Sequence, residues 1–159
     1  MTRKEQYNQL ILQIAELIKD ETNLVGILAN VSAALHDTFP ERFFWVGFYL
    51  QVHGNMLRLG PFQGSVACYT IPYGKGVCGK AWEEGHTLIV PDVETFPGHI
   101  ACSSLSRSEI VVPMYDDAHT FRGVLDIDST RLNDFDEDDK EGLGRIIDLL
   151  MEETQDLFL

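Results

Sequence analysis

Apolar residues recur at helical spacing near the start of the chain and again at its end. Segments 7–18 and 24–35 each place apolar side chains three or four residues apart, which is typical of amphipathic helices. Asp136 is a good N-cap followed by an acidic first turn, and an apolar stripe runs from there to Met151. The pattern predicts two helices within about residues 3–38 and a C-terminal helix over about 136–157.

The segment between these helices has the composition of β-strands. Residues 43–52 are aromatic and β-rich, and His53, Gly54 and Asn55 then form a turn signal, which predicts a β-hairpin. A short helix is expected just after Cys78, and the remaining predicted strands are 66–71, 87–90, 110–115 and 121–128. Helices at both ends of hairpin-linked strands predict one α+β domain. We expect a mostly antiparallel sheet, with the terminal helices on one face and a loop-covered pocket on the other.

Side chains two apart on a strand share a face, so the sequence also predicts what the pocket contains. Leu125 and Ile127 suit the helix-covered face, and the intervening acidic residues must then point the other way. A solvated sheet face is an alternative for those acids, and a second small core is an alternative for aromatic residues there. The same parity collects on the pocket face Trp45, Tyr49, Glu109, Asp126 and Asp128.

Length and charge restrict the class of protein. The 159 residues, 45% of them hydrophobic, suit one domain with a full core. Twelve basic against 25 acidic residues give a net charge of -13, which disfavours nucleic acid and anionic membranes as partners. The amphipathic start of the chain is unlike a signal peptide, and no segment is apolar enough to span a bilayer. We expect a cytoplasmic protein.

Three cysteines, Cys68, Cys78 and Cys102, lie in glycine-rich segments. In a reducing compartment they favour thiol chemistry over a disulfide scaffold. Lys75, Lys80 and the start of a helix favour Cys78 as the most acidic thiol, but His99 and Arg107 lie near Cys102, and sequence spacing alone does not rank the two. One alternative is that the cysteines are small buried hydrophobes. Another is a zinc site completed by His99, but the spacing lacks a C-x-x-C pair, so no metal is expected.

Several motifs carry a family resemblance over nearly the whole chain. They are WVGFYL (45–50), LGPFQGSVAC (59–68), IPYGKGVCG (71–79), HIACSSLSRSEIVVP (99–113) and GVLDIDS (123–129). With them the chain resembles the free methionine-(R)-sulfoxide reductase family of GAF-domain proteins. GVLDIDS alone indicates only the GAF superfamily, whereas the three cysteine motifs select the reductases.

The resemblance implies a single GAF domain over residues 1–159, with the sheet and pocket loops over about 43–130. It implies that Cys102 is the nucleophile, Cys68 the resolving cysteine, and Cys78 an auxiliary or alternative resolving cysteine, against the local argument that favours Cys78. The substrate-binding residues it implies are Trp45, Tyr49, Glu109, Asp126 and Asp128.

The implied reaction converts free methionine-(R)-sulfoxide to methionine through a cysteine sulfenic acid and an intramolecular disulfide. Thioredoxin would recycle the disulfide, and no cofactor is required. The alternative is a GAF module that senses a small molecule and has structural cysteines. The oligomeric state stays open, with a homodimer among the alternatives.

Overall fold

A computed structural model of the protein describes residues 1–158; Leu159, the last residue of the predicted domain, lies outside them. The helices are α1 (Arg3–Ile18), α2 (Leu24–Thr38), α3 (Gly76–Glu84) and α4 (Glu137–Thr154). The strands are β1 (Trp45–His53), β2 (Met56–Gln63), β3 (Thr70–Pro72), β4 (Leu88–Val90), β5 (Ser108–Tyr115) and β6 (Phe121–Ser129).

Local signals in the sequence set the helix starts. The Thr2 hydroxyl accepts the backbone N–H of Glu5 at 3.1 Å, and the Glu5 side chain accepts the N–H of Thr2 in return. Asp136 and Asp139 form the same reciprocal arrangement at the start of α4, which confirms the predicted N-cap. The C-terminal prediction ran to 157, but α4 ends at Thr154 and a single 3₁₀ turn follows it.

The six strands form one antiparallel sheet in the order β3-β2-β1-β6-β5-β4. The predicted hairpin joins β1 to β2, where His53 pairs with Met56 across a turn that contains Gly54 at positive φ. The predicted strand over 66–71 is wrong for most of its length, because only β3 pairs with the sheet. The segment before β3 forms a loop that carries Cys68.

Helices α1, α2 and α4 cover one face of the sheet, as predicted. Val46, Phe48 and Leu125 are fully buried against them, so the alternation along β1 and β6 was read correctly. Phe44 is an exception, because it precedes β1 and packs on the opposite side of the sheet. The α+β fold prediction is confirmed, and the second face packs under α3 as well as under loops.

Among the described residues 1–158, the helices are all too short or too polar to cross a membrane.

Candidate active site

A pocket lies on the sheet face opposite α1, α2 and α4. Its walls are the pocket side of β1, β5 and β6, the start of α3, and the loops that precede β3 and β5. Seven of the eight predicted site residues line it: Trp45, Tyr49, Cys78, Cys102, Glu109, Asp126 and Asp128. The eighth, Cys68, is bonded to Cys102 at the rim. The structure therefore brings the predicted residues together.

Strand register places the three acids side by side. Glu109 on β5 pairs directly with Asp128 on β6, and Asp126 lies two residues along the same face of β6. Glu109 and Asp126 are each only 6% exposed, and Asp128 is half-buried. A solvated sheet face, the alternative for these acids, is therefore wrong.

The pocket raises the pKa of all three acids. Burial is the main cause at each, since a charged carboxylate loses its hydration there, and the charge of Asp126 raises the pKa of Glu109 and Asp128 further. Both Glu109 and Asp128 have a pKa well above the ordinary value, and no lysine or arginine among the lining residues offsets this. Oδ1 of Asp126 is buried without a hydrogen-bond partner. The cluster therefore favours protonated carboxyl groups.

Cys78 is buried inside this cluster, on the first turn of α3. Burial, followed by the charges of Asp126 and Glu109, raises the pKa of its thiol well above the ordinary value. The helix start and the nearby lysines therefore do not make Cys78 an acidic thiol. The nearby lysines matter less than carboxylates brought in from β5 and β6.

The same three residues have donor atoms with metal-like spacing. The Cys78 sulfur and carboxylate oxygens of Glu109 and Asp126 all lie within 4.8 Å of one another. Acidic groups at this spacing also occur without a metal, so the spacing alone does not assign one here. The alternative zinc site of three cysteines and His99 does not form either, because two of its sulfurs are bonded to each other.

Cys68 and Cys102 form a disulfide that joins the two pocket loops. Their Cα atoms are 5.4 Å apart although 34 residues separate them in sequence. The Cys68 loop is fixed to the sheet from two sides. The Tyr49 hydroxyl donates to the Cys68 carbonyl oxygen at 3.0 Å, and the Leu59 N–H donates to the Tyr69 carbonyl oxygen at 2.9 Å. The disulfide implied by the family resemblance is confirmed.

Aromatic side chains form the remaining wall. Trp45 stacks on Tyr49 with ring centroids 5.9 Å apart and on Phe62 with centroids 5.1 Å apart. The Trp45 indole N–H donates to the Ser65 carbonyl oxygen at 3.0 Å. A Cβ at Gly64 would lie 2.6 Å from the Trp45 ring, so a glycine is needed where this loop crosses it. The aromatics are buried as the alternative of a small core expects, and they also face the pocket.

Sequence reasoning missed several lining residues. His99, Ser103 and Ser106 belong to the Cys102 loop, and Val66 and Ala67 to the Cys68 loop. The sequence suggests His99 as a zinc ligand or as a basic neighbour of Cys102, whereas in the structure its Nε2 lies 4.0 Å from Oε1 of Glu109. The density of small polar residues around Cys102 was the only available signal, because the loop's path over the sheet depends on distant contacts.

A protein-family model described as GAF domain matches residues 20–151. GAF domain-containing protein A of Dictyostelium discoideum is 56% identical over 149 residues, which cover 94% of this chain and 92% of that protein. The free methionine-R-sulfoxide reductase of Escherichia coli (strain K12) is 42% identical over 147 residues, which cover 92% of this chain and 87% of that protein.

Solved structures give the same answer. The X-ray structure of free methionine-R-sulfoxide reductase from Neisseria meningitidis in complex with its substrate matches with a TM-score of 0.93 and 47% identity, covering 98% of this chain and 92% of that one. With this agreement in sequence and in fold, the chain belongs to the GAF domain family, and its homologues include free methionine-R-sulfoxide reductases.

Proposed function

We propose that this protein reduces free L-methionine-(R)-sulfoxide to L-methionine, with Cys102 as the nucleophile and Cys68 as the resolving cysteine. One observation carries the proposal: the Cys68–Cys102 disulfide lies at the rim of a pocket whose floor is a cluster of buried carboxyl groups. A reversible disulfide beside proton donors is what a thiol-dependent reductase needs. The relatives with that activity support the same choice of substrate.

The pocket has the chemistry of a small zwitterionic ligand. In the proposal, ionised members of the cluster of Glu109, Asp126 and Asp128 receive the substrate ammonium, and a member that keeps its proton serves the reduction step. The stacked rings of Trp45 and Tyr49 contact the apolar end of the substrate. Asp126 Oδ1, buried and unpaired, would gain a partner when the substrate binds. Because a substrate lies beneath the two cysteine loops, the pocket suits a free amino acid better than a methionine within a chain.

The raised carboxyl pKa values fit the reduction step. A carboxyl group that is still protonated at neutral pH donates to the sulfoxide oxygen and makes the sulfur electrophilic. The Cys102 thiolate takes the oxygen, so methionine leaves and Cys102 becomes a sulfenic acid. The Cys68 thiol then displaces water from it, which gives the disulfide. Overall, two thiols and one sulfoxide yield a disulfide, a thioether and one water.

A dithiol protein must return the disulfide to two thiols, and we propose thioredoxin for this role. The cycle as written requires neither metal nor organic cofactor. It does require a reducing compartment, so we propose the cytoplasm.

Cys78 is buried and protonated beside the carboxyls, so we give it an auxiliary role. A homodimer stays an open alternative, which light scattering decides.

The first experiment separates a reductase from a ligand sensor. The reduced protein is supplied with thioredoxin, thioredoxin reductase and NADPH, and with free R-sulfoxide, free S-sulfoxide or a peptide that contains the sulfoxide. We expect turnover on the free R epimer and its complete loss in Cys102→Ser. No turnover on the free R epimer, or turnover on the peptide alone, sinks the proposal. Retained ligand binding by a wild-type protein without turnover would favour the sensor.

A second experiment assigns the resolving cysteine. Cys68→Ser should release one methionine per protein without reductant and then stall when thioredoxin is supplied. Cys78→Ser is the matched control and should cycle, because its sulfur is not in the disulfide. Thioredoxin-dependent cycling in Cys68→Ser together with a stalled Cys78→Ser transfers the role to Cys78.

A further inference from the structure

The pocket lining is unbalanced in charge. Its acidic side chains can bind an ammonium group. A free amino acid also carries an α-carboxylate, which needs a hydrogen-bond donor or a positive charge when it leaves water. Of the described residues that line the pocket, His99 is the only one with a basic side chain.

His99 lies beside the acidic cluster, within reach of a ligand in the pocket. Its Nε2 is 4.0 Å from Oε1 of Glu109, which is too long for a hydrogen bond, so the imidazole and the carboxyl stand side by side without being bonded. Neither ring nitrogen has a hydrogen-bond partner among the described residues, although the side chain is only 17% exposed. Partial burial lowers the pKa of His99, and its neutral form still offers one N–H donor.

We propose that His99 binds the α-carboxylate of the free amino acid while Glu109 binds its ammonium group. The positive charge of the ammonium favours the ionised form of Glu109 once the substrate is bound. The inference rests on the proposed function and names the residue that recognises the substrate as a free amino acid. The ammonium and carboxylate of an amino acid are bonded to the same carbon atom. They can therefore bind to neighbouring acidic and basic side chains at the same time. A methionine within a chain has amide groups at both positions and gains neither contact.

His99 can be tested by substitution with little effect on the fold. It belongs to a loop, and its ring makes no hydrogen bond with the described residues. The end of that loop is held by Arg107, whose N–H donates to the Ser129 carbonyl oxygen at 2.7 Å. A competing anion site is the start of α3, where Gly76 and Val77 line the pocket and Lys75 gives no side-chain cap.

The experiment compares the free acid, L-methionine-(R)-sulfoxide, with its α-amide, which keeps the ammonium and the sulfoxide but lacks the carboxylate. In the wild type, kcat/KM for the acid should exceed that for the amide by about 10- to 100-fold, the range for a hydrogen bond to a charged group. His99→Ala should lower the value for the acid by that factor, mainly through KM, and leave the amide unchanged. His99→Gln, which restores an N–H donor, should recover part of the loss. His53→Ala, at an exposed position in the β1–β2 hairpin, is the matched control and should behave as wild type.

The outcomes separate this inference from the proposed function. A wild type that does not reduce the free acid contradicts the function itself. If the wild type does reduce it and His99→Ala keeps the wild-type ratio of acid to amide, the carboxylate binds elsewhere, with the start of α3 as the next candidate. An equal loss on acid and amide also overturns the inference, because it shows that His99 acts on the pocket as a whole.

Discussion

The protein buries carboxylates in two places and treats them in opposite ways. At the start of α4, Asp139 is fully buried and surrounded by donors: Arg42 at 2.8 Å, Arg3 at 3.2 Å and the Tyr7 hydroxyl at 2.7 Å. In the pocket, Glu109 and Asp126 are almost as buried, yet their nearest cationic candidate is His99 at 4.0 Å from Glu109. A buried charge is tolerated when it is paired and fully hydrogen-bonded, as at Asp139. In the pocket, burial is not offset by a paired cation, so the protonated form of the acids is favoured instead.

The two groups of buried acids therefore have different roles: the Asp139 network stabilises the fold, and the pocket acids are available for chemistry. The Asp139 network ties α1, the segment after α2, and α4 together, and a Cβ at Gly142 would clash with the Tyr7 ring that belongs to it. Both oxygens of Asp139 already accept hydrogen bonds, so Asp139 can hold elements in place but has no acceptor left for a ligand. The pocket acids are unsaturated, and Asp126 Oδ1 has no partner at all. They are therefore the groups able to bind a cation or to give up a proton.

The largest expected effect is on activity, in the pocket. Glu109→Gln keeps the shape of the side chain but removes an acid from the cluster, so we expect kcat/KM for free methionine-(R)-sulfoxide to fall by about 10²- to 10⁴-fold, the range for a lost acid–base group. The free energy of unfolding at pH 7 should not fall, because the raised pKa means that the fold disfavours the charged form that Gln removes. Glu152→Gln, on the exposed side of α4, is the control and should change neither quantity. Wild-type kcat/KM in Glu109→Gln would contradict the role given to the cluster.

The next effect is on stability, in the Asp139 network. Arg42→Ala leaves Asp139 buried without its main partner and should lower the free energy of unfolding by about 3–5 kcal/mol, measured in urea under reducing conditions. Arg131→Ala is the matched control, since Arg131 is 55% exposed and lies 3.6 Å from an exposed Glu41; it should cost about 1 kcal/mol or less.

The folded fraction of Arg42→Ala should keep wild-type kcat/KM, because Arg42 does not line the pocket. Where the Ala variant is too unstable to purify, Arg42→Lys keeps the charge with fewer donors and should lose stability without losing activity. A variant at Arg42 that loses activity but not stability would contradict the structural role given to the Asp139 network.

The smallest effect is the pH dependence of stability. Above about pH 4.5 the unfolded chain loses the Glu109 proton, while the folded protein retains it because its pKa is raised. The folded state then binds more protons, so Glu109 makes stability fall as pH rises, by up to about 1.4 kcal/mol per pH unit, until the pH reaches the folded pKa. Glu109→Gln lacks this contribution. The difference in free energy of unfolding between Glu109→Gln and wild type should therefore grow from pH 4.5 upward, and parallel curves would show that Glu109 ionises normally.

Local sequence patterns correctly predicted the features that depend on a single helix or strand. Helical periodicity located α1, α2 and α4, and alternation along β6 put Asp126 on the pocket face because that assignment needs only the strand itself. The predicted strand over 66–71 failed because only its last two residues, within Thr70–Pro72, find a partner in β2, and local composition does not report strand pairing.

Two further misses have the same cause. The acidity expected for Cys78 rested on lysines near it in sequence, whereas its pKa is set by burial and by acids from β5 and β6. The Asp139 network joins Arg42 to a residue 97 positions later, and no local pattern announces that contact. The family resemblance supplied the cysteine pairing, which spacing alone left undecided.

The central claim is that Cys102 and Cys68 reduce the sulfoxide by becoming a disulfide. Its most direct test is one equivalent of free L-methionine-(R)-sulfoxide added to the fully reduced protein without any external reductant. Methionine, remaining thiols and disulfide-linked peptides are then quantified. We predict one methionine per protein, the loss of two thiols, and a single new disulfide between Cys68 and Cys102, with Cys78 still free. Absence of methionine, or methionine formed while all three thiols persist, would contradict the account.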